Sequence, residues 1–198
     1  FIGATGMWVH SMITLSSVLV SVLICFVIGV PLGVIASYNK WYRDIQNVVL
    51  DAMQTLPYFC YLIPVLMFFG GNIVSAVIAT VIYSVPPIIR LTALGLSQVS
   101  GSYSEVSKSF GGTGIQTLNK VKFPLAVPSL VMGFNQTVIM AFAMQIVTPL
   151  IGGKGLGLQV FNALQRSDTG RGLSAGLAIV LLAIIIDRIT HAWTKKHR

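Results

Sequence analysis

The sequence of 198 residues contains very little charge. Only 9% of its residues are Asp, Glu, Lys or Arg, and only 5 of these are acidic, whereas 55% of the residues are apolar. A soluble domain of this length could not bury so many apolar side chains, which excludes a water-soluble enzyme or binding module. The composition therefore predicts a membrane protein.

Cysteine and histidine are also scarce. The 2 cysteines, Cys25 and Cys60, stand in apolar runs without paired spacing, which argues against a disulfide framework and a metal site. No set of His, Cys and carboxylate residues falls at one depth of an apolar run, so a membrane-embedded enzyme is disfavoured. The phosphate-binding sequence G-x-x-x-x-G-K-S/T is missing, since GGKGLG at 152–157 lacks its hydroxyl and its spacing. We expect no catalytic residue, metal or cofactor in this chain.

Five apolar stretches are long enough to cross a hydrocarbon core of about 30 Å, which takes about 20 helical residues. No charged residue occurs between 12 and 36 or between 52 and 89. The second run is too long for one helix and must fold back at the glycines and asparagine of 70–72. The predicted spans, within a single domain over 1–198, are 12–36, 45–69, 73–89, 124–151 and 173–193.

The basic residues predict the orientation of these spans. Of the 13, only Lys154, Arg166 and Arg171 fall on one side, which leaves 10 on the other, among them Arg198. Because lysine and arginine stay mainly in the cytoplasm, the N-terminus of the chain is expected outside and the C-terminus inside. The net charge of +8 does not indicate nucleic-acid binding, since these residues lie in short loops rather than on one soluble face. The GGKGLG stretch is then external, either as a contact for a binding protein or as a plain flexible connection.

A polar segment at 102–123 separates the third and fourth spans. Ser102 with Glu105, and Thr113 with Gln116, have the spacing of capping boxes, which predicts two short helices. Such helices are too short to be stable alone in water and need a surface. That surface is the chain's own span ends, the lipid interface or a soluble partner.

The same segment resembles a known motif. Glu105, Gly111, Val121 and Pro124 occur at the spacing of the EAA motif of permease subunits of binding-protein-dependent ABC importers. In that family the motif precedes the penultimate span, as it does here. The stretches LDAMQTLPYFCYLIP, SVPPIIRLTALGLSQV, GFNQT and IIIDRIT are similar to permeases of glycine betaine/proline-type osmolyte importers.

The resemblance implies an all-α membrane protein with five core transmembrane helices and a short cytoplasmic helix-turn-helix that couples to a separate ATPase subunit. Glu105 would hold the shape of this coupling segment, Gly111 and Gly112 would form its turn, and Phe110 and Ile115 would fill a cleft of the ATPase. Pro124 completes the motif.

The resemblance also implies partners, a location and a cargo. The partners would be the ATPase subunit, which holds ATP and Mg²⁺, an external substrate-binding protein, a second copy of the permease and membrane lipid. The location would be the bacterial inner membrane. The cargo would be a small quaternary amine or zwitterionic osmolyte, with choline, proline or another amino-acid-like solute as alternatives.

Candidate residues for a translocation path lie in the second span. Pro57 and Pro64 are seven positions apart, hence on one helical face, and each removes a backbone hydrogen bond. Tyr58, Phe59 and Tyr61 between them could attract a methylated ammonium through cation–π interactions. Aromatic packing or an interfacial belt is the alternative.

Gln145 and Thr148 add a second candidate set, in the fourth span. They share a helical face with Thr137 and Ala141, and such a stripe suits either a water-lined path or a helix–helix seam.

Two charges lie near the cytoplasmic span ends. An unpaired Asp51 or Arg90 would be costly there, so we expect the two to be near each other or near water, as a structural pair. An ion-gradient-driven transporter or channel would instead use Asp51 as a coupling carboxylate. That alternative leaves the two capped helices without a role.

Overall fold

The computed structural model describes residue 3 and residues 5–196, with the backbone alone at 191 and 193–196. Of the basic residues used to predict orientation, Arg198 lies outside the described residues. Every regular element in the described part is helical. The α-helices are α1 (Trp8–Tyr38), α2 (Lys40–Thr55), α3 (Phe59–Phe69), α4 (Ile73–Ser84), α5 (Pro86–Ser97), α6 (Gly101–Ser109), α7 (Gly114–Thr117), α8 (Phe123–Met144), α9 (Leu156–Gln165) and α10 (Thr169–Lys196).

Four helical stretches in the described residues are long and apolar enough to cross a membrane, and a bent pair makes a fifth candidate. α4 continues into α5 without a sharp bend, so the third stretch extends to Ser97, past the predicted end at residue 89. A π-helical turn over Leu118–Lys122 joins α7 to α8, so the fourth stretch is one rod from Gly114 to Met144. The candidates are Trp8–Tyr38, Ile73–Ser97, Gly114–Met144, Thr169–Thr190 and the pair α2–α3.

The second predicted span, 45–69, is broken in the structure. α2 and α3 meet at 95° because the backbone leaves the helix at Leu56, where φ is −68° and ψ is 132°. Pro57 causes the break, since its ring disfavours a helical conformation in the residue before it. α3 alone has 11 residues and a length of about 16 Å, too short to cross a bilayer.

The fourth predicted span, 124–151, ends earlier as an α-helix. α8 stops at Met144, and a 3₁₀ turn over Thr148–Ile151 follows, with Pro149 unable to donate a backbone hydrogen bond. Gly152 then takes a left-handed conformation with φ 89°. The chain therefore turns away from the axis of α8 before the predicted end of the span.

α5 lies at the centre of the bundle, packed against α1 and α8. Small residues allow this close approach. A Cβ on Gly33 of α1 would lie 2.7 Å from the carbonyl oxygen of Ile89, and one on Gly95 of α5 would lie 2.6 Å from Cβ of Ser129. Lipid tails are as apolar as leucine, so tight packing of this kind, rather than burial from water, holds membrane helices together.

The glycine-rich stretch at 152–157 is packed into the bundle. The backbone N–H of Leu156 donates to Thr14 Oγ1 of α1 at 2.8 Å, and both groups are buried. Gly157 lies directly against the carbonyl of Gln145, where a Cβ has no room. Lys154 is exposed. These contacts do not fit the alternative of a plain flexible connection.

Candidate functional site

The coupling segment folds as a helix-turn-helix formed by α6, a glycine turn and α7. The predicted Ser102–Glu105 capping box is wrong, because the N-cap of α6 is Ser100, two residues earlier, and Ser100 Oγ accepts the N–H of Ser102 at 3.4 Å. The second capping box is confirmed. Gln116 N–H donates to Thr113 Oγ1 at 3.4 Å, and Thr113 N–H donates to Gln116 Oε1 at 2.9 Å.

The turn of the coupling segment requires its glycines. Gly111 has φ 78°, a left-handed conformation that costs glycine little. Gly112 donates its N–H to the carbonyl oxygen of Ser107 at 2.9 Å, and a Cβ on it would lie 2.7 Å from the same oxygen. Together the two residues cap the C-terminus of α6 and reverse the chain within a few residues.

A side-chain contact fixes the angle between the two short helices. Ser107 Oγ and Thr117 Oγ1 lie 2.8 Å apart, and Thr117 is buried. The helices enclose an open groove of about 440 Å³. Its lining comprises Tyr103, Val106, Ser107, Phe110, Gly112, Gln116, Lys120 and Val121.

Large apolar side chains project from this element. Phe110 is 88% exposed and lies before the candidate span Gly114–Met144, and Ile115 is 73% exposed at the very start of that span. Tyr103 and Val106 are more than half exposed as well. Apolar groups that face water in such a cluster are typical of a protein–protein contact.

The other two predicted coupling residues are also at the surface. Glu105 is exposed, lies past the first turn of α6, and its carboxylate has no hydrogen-bond or ion-pair partner among the described residues. Pro124 is exposed in the first turn of α8. Neither residue makes a side-chain contact that explains the shape of the segment.

The aromatic candidates for the path cluster at the break between α2 and α3. The Tyr58 and Phe59 rings lie 4.8 Å apart and are 41% and 49% exposed. The Tyr61 hydroxyl donates to the carbonyl of Met53, which satisfies one backbone group freed by the break. Tyr61 also packs edge to face on Tyr83 of α4. Pro57 and Pro64 are exposed at the same region.

Gln145 and Thr148, the other two candidates for the path, lie at the end of α8 and just beyond it. Gln145 and Thr148 are almost fully buried, and Gln145 Nε2 donates to Thr80 Oγ1 of α4 at 3.4 Å. Thr148 Oγ1 donates to the carbonyl of Gln145 at 3.2 Å. In this chain they form a buried seam between α4 and the end of α8, whereas Tyr58 and Phe59 are exposed. Sequence reasoning missed Thr80, whose only signal was a polar side chain within an uncharged run.

Asp51 and Arg90 are brought together, as the cost of an unpaired charge led us to expect. Arg90 Nη2 donates to Asp51 Oδ1 at 2.6 Å, between α2 and α5. The side chain of Asp51 is 64% exposed and that of Arg90 is 36% exposed. Arg90 Nε is buried and has no partner among the described atoms.

Comparison with known proteins assigns the fold. A solved structure of the MetNI methionine ABC transporter in an inward-facing conformation matches with a TM-score of 0.84, covering 94% of this chain and 94% of that one at 22% identity. A second crystal form of the same transporter matches with a TM-score of 0.76. The chain therefore has the fold of an ABC transporter membrane subunit.

Several relatives are much closer in sequence. The glycine betaine/proline betaine transport system permease protein ProW of Escherichia coli is 45% identical over 96% of this chain. The glycine betaine transport system permease protein OpuAB of Bacillus subtilis is 43% identical over 93% of it. The chain spans 54% of the length of ProW and 66% of that of OpuAB. The osmoprotectant import permease protein OsmW of Salmonella typhimurium is 32% identical, and the chain covers 83% of it.

The family profile covers most of the chain. The family described as binding-protein-dependent transport system inner membrane component matches residues 29–198. That range includes the coupling segment, both path candidate sets and the Asp51–Arg90 pair. This chain thus belongs to the family of inner membrane components of binding-protein-dependent transport systems.

Proposed function

We propose that this chain is the permease of an ATP-driven importer for a small quaternary amine or zwitterionic osmolyte such as glycine betaine. The observation that carries the proposal is the 45% identity, over nearly the whole chain, to a glycine betaine/proline betaine permease. Other relatives are named for carnitine, choline and trimethylamine N-oxide. These solutes share a methylated nitrogen, so we assign the cargo to that chemical class and keep proline or another amino-acid-like solute as alternatives.

The coupling segment is proposed to dock in a cleft of a separate ATPase subunit, which holds ATP and Mg²⁺. Phe110 and Ile115 are the exposed apolar anchors for that cleft. The 2.8 Å contact between Ser107 and Thr117 links α6 to α7 within this element. Leu118 follows α7 at the base of the element and packs against the core formed by α5 and α8. Movement of the ATPase would therefore move α8 as well.

The exposed aromatic residues at the α2–α3 break are the proposed contacts for the cargo. A methylated ammonium is attracted to the faces of Tyr58, Phe59 and Tyr61. Because the rings lie on the surface of a single chain, a second copy would have to face them to enclose a path. The buried seam of Gln145 and Thr148 would instead transmit movement between α8 and α4.

The orientation predicted from the basic residues completes the proposal. The coupling segment would face the cytoplasm of a bacterial cell, and the loop that carries Lys154, Arg166 and Arg171 would face an external substrate-binding protein. Arg166 and Arg171 line a polar pocket there, beside Asp168. This arrangement presents charged groups to a soluble partner.

Uptake into proteoliposomes tests the function. The protein is reconstituted with its ATPase subunit and binding protein, and radiolabelled glycine betaine uptake is measured with ATP, with a non-hydrolysable ATP analogue, and with an imposed sodium or proton gradient. We expect uptake only with hydrolysable ATP. Uptake driven by an ion gradient without ATP would overturn the proposal in favour of a secondary transporter.

A further inference from the structure

A polar crevice between α2 and α5 has no role in the function proposed above. Its volume is about 420 Å³, and it opens beside the Asp51–Arg90 pair. Its lining comprises Arg43, Asn47 and Asp51 from α2, and Arg90, Ala93, Leu94 and Ser97 from α5.

The charges in this crevice do not balance. Two guanidinium groups, of Arg43 and Arg90, face one carboxylate, of Asp51, and the carboxylate is paired with Arg90. Arg43 has no ion-pair partner among the residues that the structure describes. The Nε–H of Arg90 is buried without an acceptor. The crevice therefore holds one excess positive charge and at least one unused donor.

A neutral side chain in the crevice, like its excess positive charge, favours an anionic ligand. The side-chain amide of Asn47 has no hydrogen-bond partner among the described residues and lines the crevice, where it can donate to a ligand. The Ser97 hydroxyl donates to the carbonyl of Leu94 at 2.9 Å, so it is not a free donor for a ligand. A planar guanidinium fork, such as that of the unpaired Arg43, matches the oxygens of a phosphate group.

We propose that this crevice binds one phosphate group, carried by an anionic phospholipid headgroup or present as a free phosphate ion. The Arg43 guanidinium is its main donor, the accessible part of the Arg90 guanidinium is a second, and Asn47 adds a neutral one. Asp51 keeps Arg90 in place and at the same time weakens the site by its negative charge.

The surroundings of the crevice favour the lipid as the source. On the opposite side of α2, Trp41, Ile45 and Val48 follow one another at helical spacing and are 74%, 46% and 69% exposed. A helix with one polar and one apolar face lies readily at the membrane surface, where the apolar face contacts acyl chains. Basic pockets between helices at the cytoplasmic boundary are typical headgroup sites.

Native mass spectrometry of the purified protein tests the proposal. The probes are phosphatidylglycerol and phosphatidylcholine with identical acyl chains, added in a zwitterionic detergent. We expect phosphatidylglycerol to be retained at one molecule per chain, about tenfold better than phosphatidylcholine, because the choline cation of phosphatidylcholine offsets its phosphate charge beside the two guanidinium groups. Equal retention of the two lipids would overturn the proposal.

Two substitutions with opposite expected effects locate the site. Arg43→Gln should lower phosphatidylglycerol retention about tenfold, whereas Asp51→Asn should leave it unchanged or raise it, because a competing negative charge is removed. Arg171→Gln, which removes a guanidinium outside the crevice, is the matched control. Retention that falls equally in Arg43→Gln and Arg171→Gln, or falls in Asp51→Asn as far as in Arg43→Gln, would contradict the proposed site.

A competition arm distinguishes the two sources of phosphate. Inorganic phosphate is added to the wild-type protein loaded with phosphatidylglycerol. Displacement at millimolar concentration supports the phosphate site with the free ion as a competent ligand, whereas resistance to displacement supports the lipid. Neither arm needs transport activity, so this test is independent of the proposed import function.

Discussion

Replacing Phe110 with alanine tests whether the exposed end of the coupling segment binds a partner. The ring is 88% exposed in the isolated chain, so the substitution removes almost no internal packing. We expect the free energy of unfolding to stay within about 0.5 kcal/mol of the wild-type value, as for other surface substitutions. The loss should appear only when the ATPase subunit is present.

The size of that loss follows from the area of the ring. A phenylalanine side chain buries about 150–250 Å² when it is enclosed. With most of the Phe110 side chain accessible, docking would remove roughly 130–220 Å² from water, equivalent to about 3–5 kcal/mol at about 25 cal/mol per Å². Alanine retains part of this area, and ordering the ring costs free energy. We therefore expect a loss of about 2 kcal/mol, or a roughly 30-fold higher Kd.

The assay is a titration of the immobilised membrane protein with the ATPase subunit, read by surface plasmon resonance in detergent. Phe68→Ala is the matched control, because Phe68 is 84% exposed but lies at the far end of α3. Its Kd should equal that of the wild type. A change of less than threefold in Phe110→Ala, or equal changes in both variants, would refute the reasoning.

Three further predictions concern packing and charge. Gly112→Ala should weaken ATPase binding without preventing membrane insertion, because a Cβ would lie 2.7 Å from a carbonyl oxygen of α6. Co-purification of the ATPase subunit measures the binding, and unchanged binding would contradict the turn geometry. A double-mutant cycle of Asp51→Asn and Arg90→Gln should show a coupling energy of about 0.2–1 kcal/mol, since both side chains are partly exposed. A coupling energy of zero would show that the pair does not stabilise the fold. Gly157→Ala should lower the free energy of unfolding by about 2 kcal/mol through overpacking, measured by thermal unfolding, with Gly176→Ala, which meets nothing within 4 Å, as the control.

Two connections between helices, the turn from α3 to α4 and the start of α7, were predictable from local chemistry. The glycines and asparagine at 70–72 end α3, and Asn72 Oδ1 accepts the N–H groups of Val74 and Ser75 at 2.8 and 3.0 Å. The second capping box of the coupling segment follows from side chains three positions apart. In both places the groups that decide the structure are sequence neighbours, so no knowledge of the tertiary fold is needed.

The break at Leu56 and the end of α8 were not predicted. Hydropathy reports how many apolar residues follow one another, and it does not report the direction in which the chain runs. Pro57 gave a local signal, but prolines are tolerated inside membrane helices when neighbours satisfy the freed backbone groups. Here Tyr61 and Met53 do so across a 95° bend, which depends on tertiary contacts.

The candidate site was only partly accessible from sequence. The cost of an isolated charge was enough to predict that Asp51 and Arg90 lie near each other or near water, and the structure pairs them. The polar stripe of Gln145 and Thr148 fits a path and a seam equally well, because helical spacing shows which residues share a face and not what that face contacts. The buried partner Thr80 belongs to another helix and could not be deduced from the stripe alone.

The unbroken rod from Gly114 to Met144 acts mechanically as a lever. Its closest approach to the central helix, near Ser129 and Gly133, is the natural fulcrum. The arms on either side of that point are about 25 and 20 Å long at 1.5 Å per residue. If the rod stays straight, a displacement of about 3 Å at its Gly114 end moves the Met144 end by roughly 2.4 Å in the opposite direction, so about four fifths of a movement of the coupling segment reaches the other end of the rod.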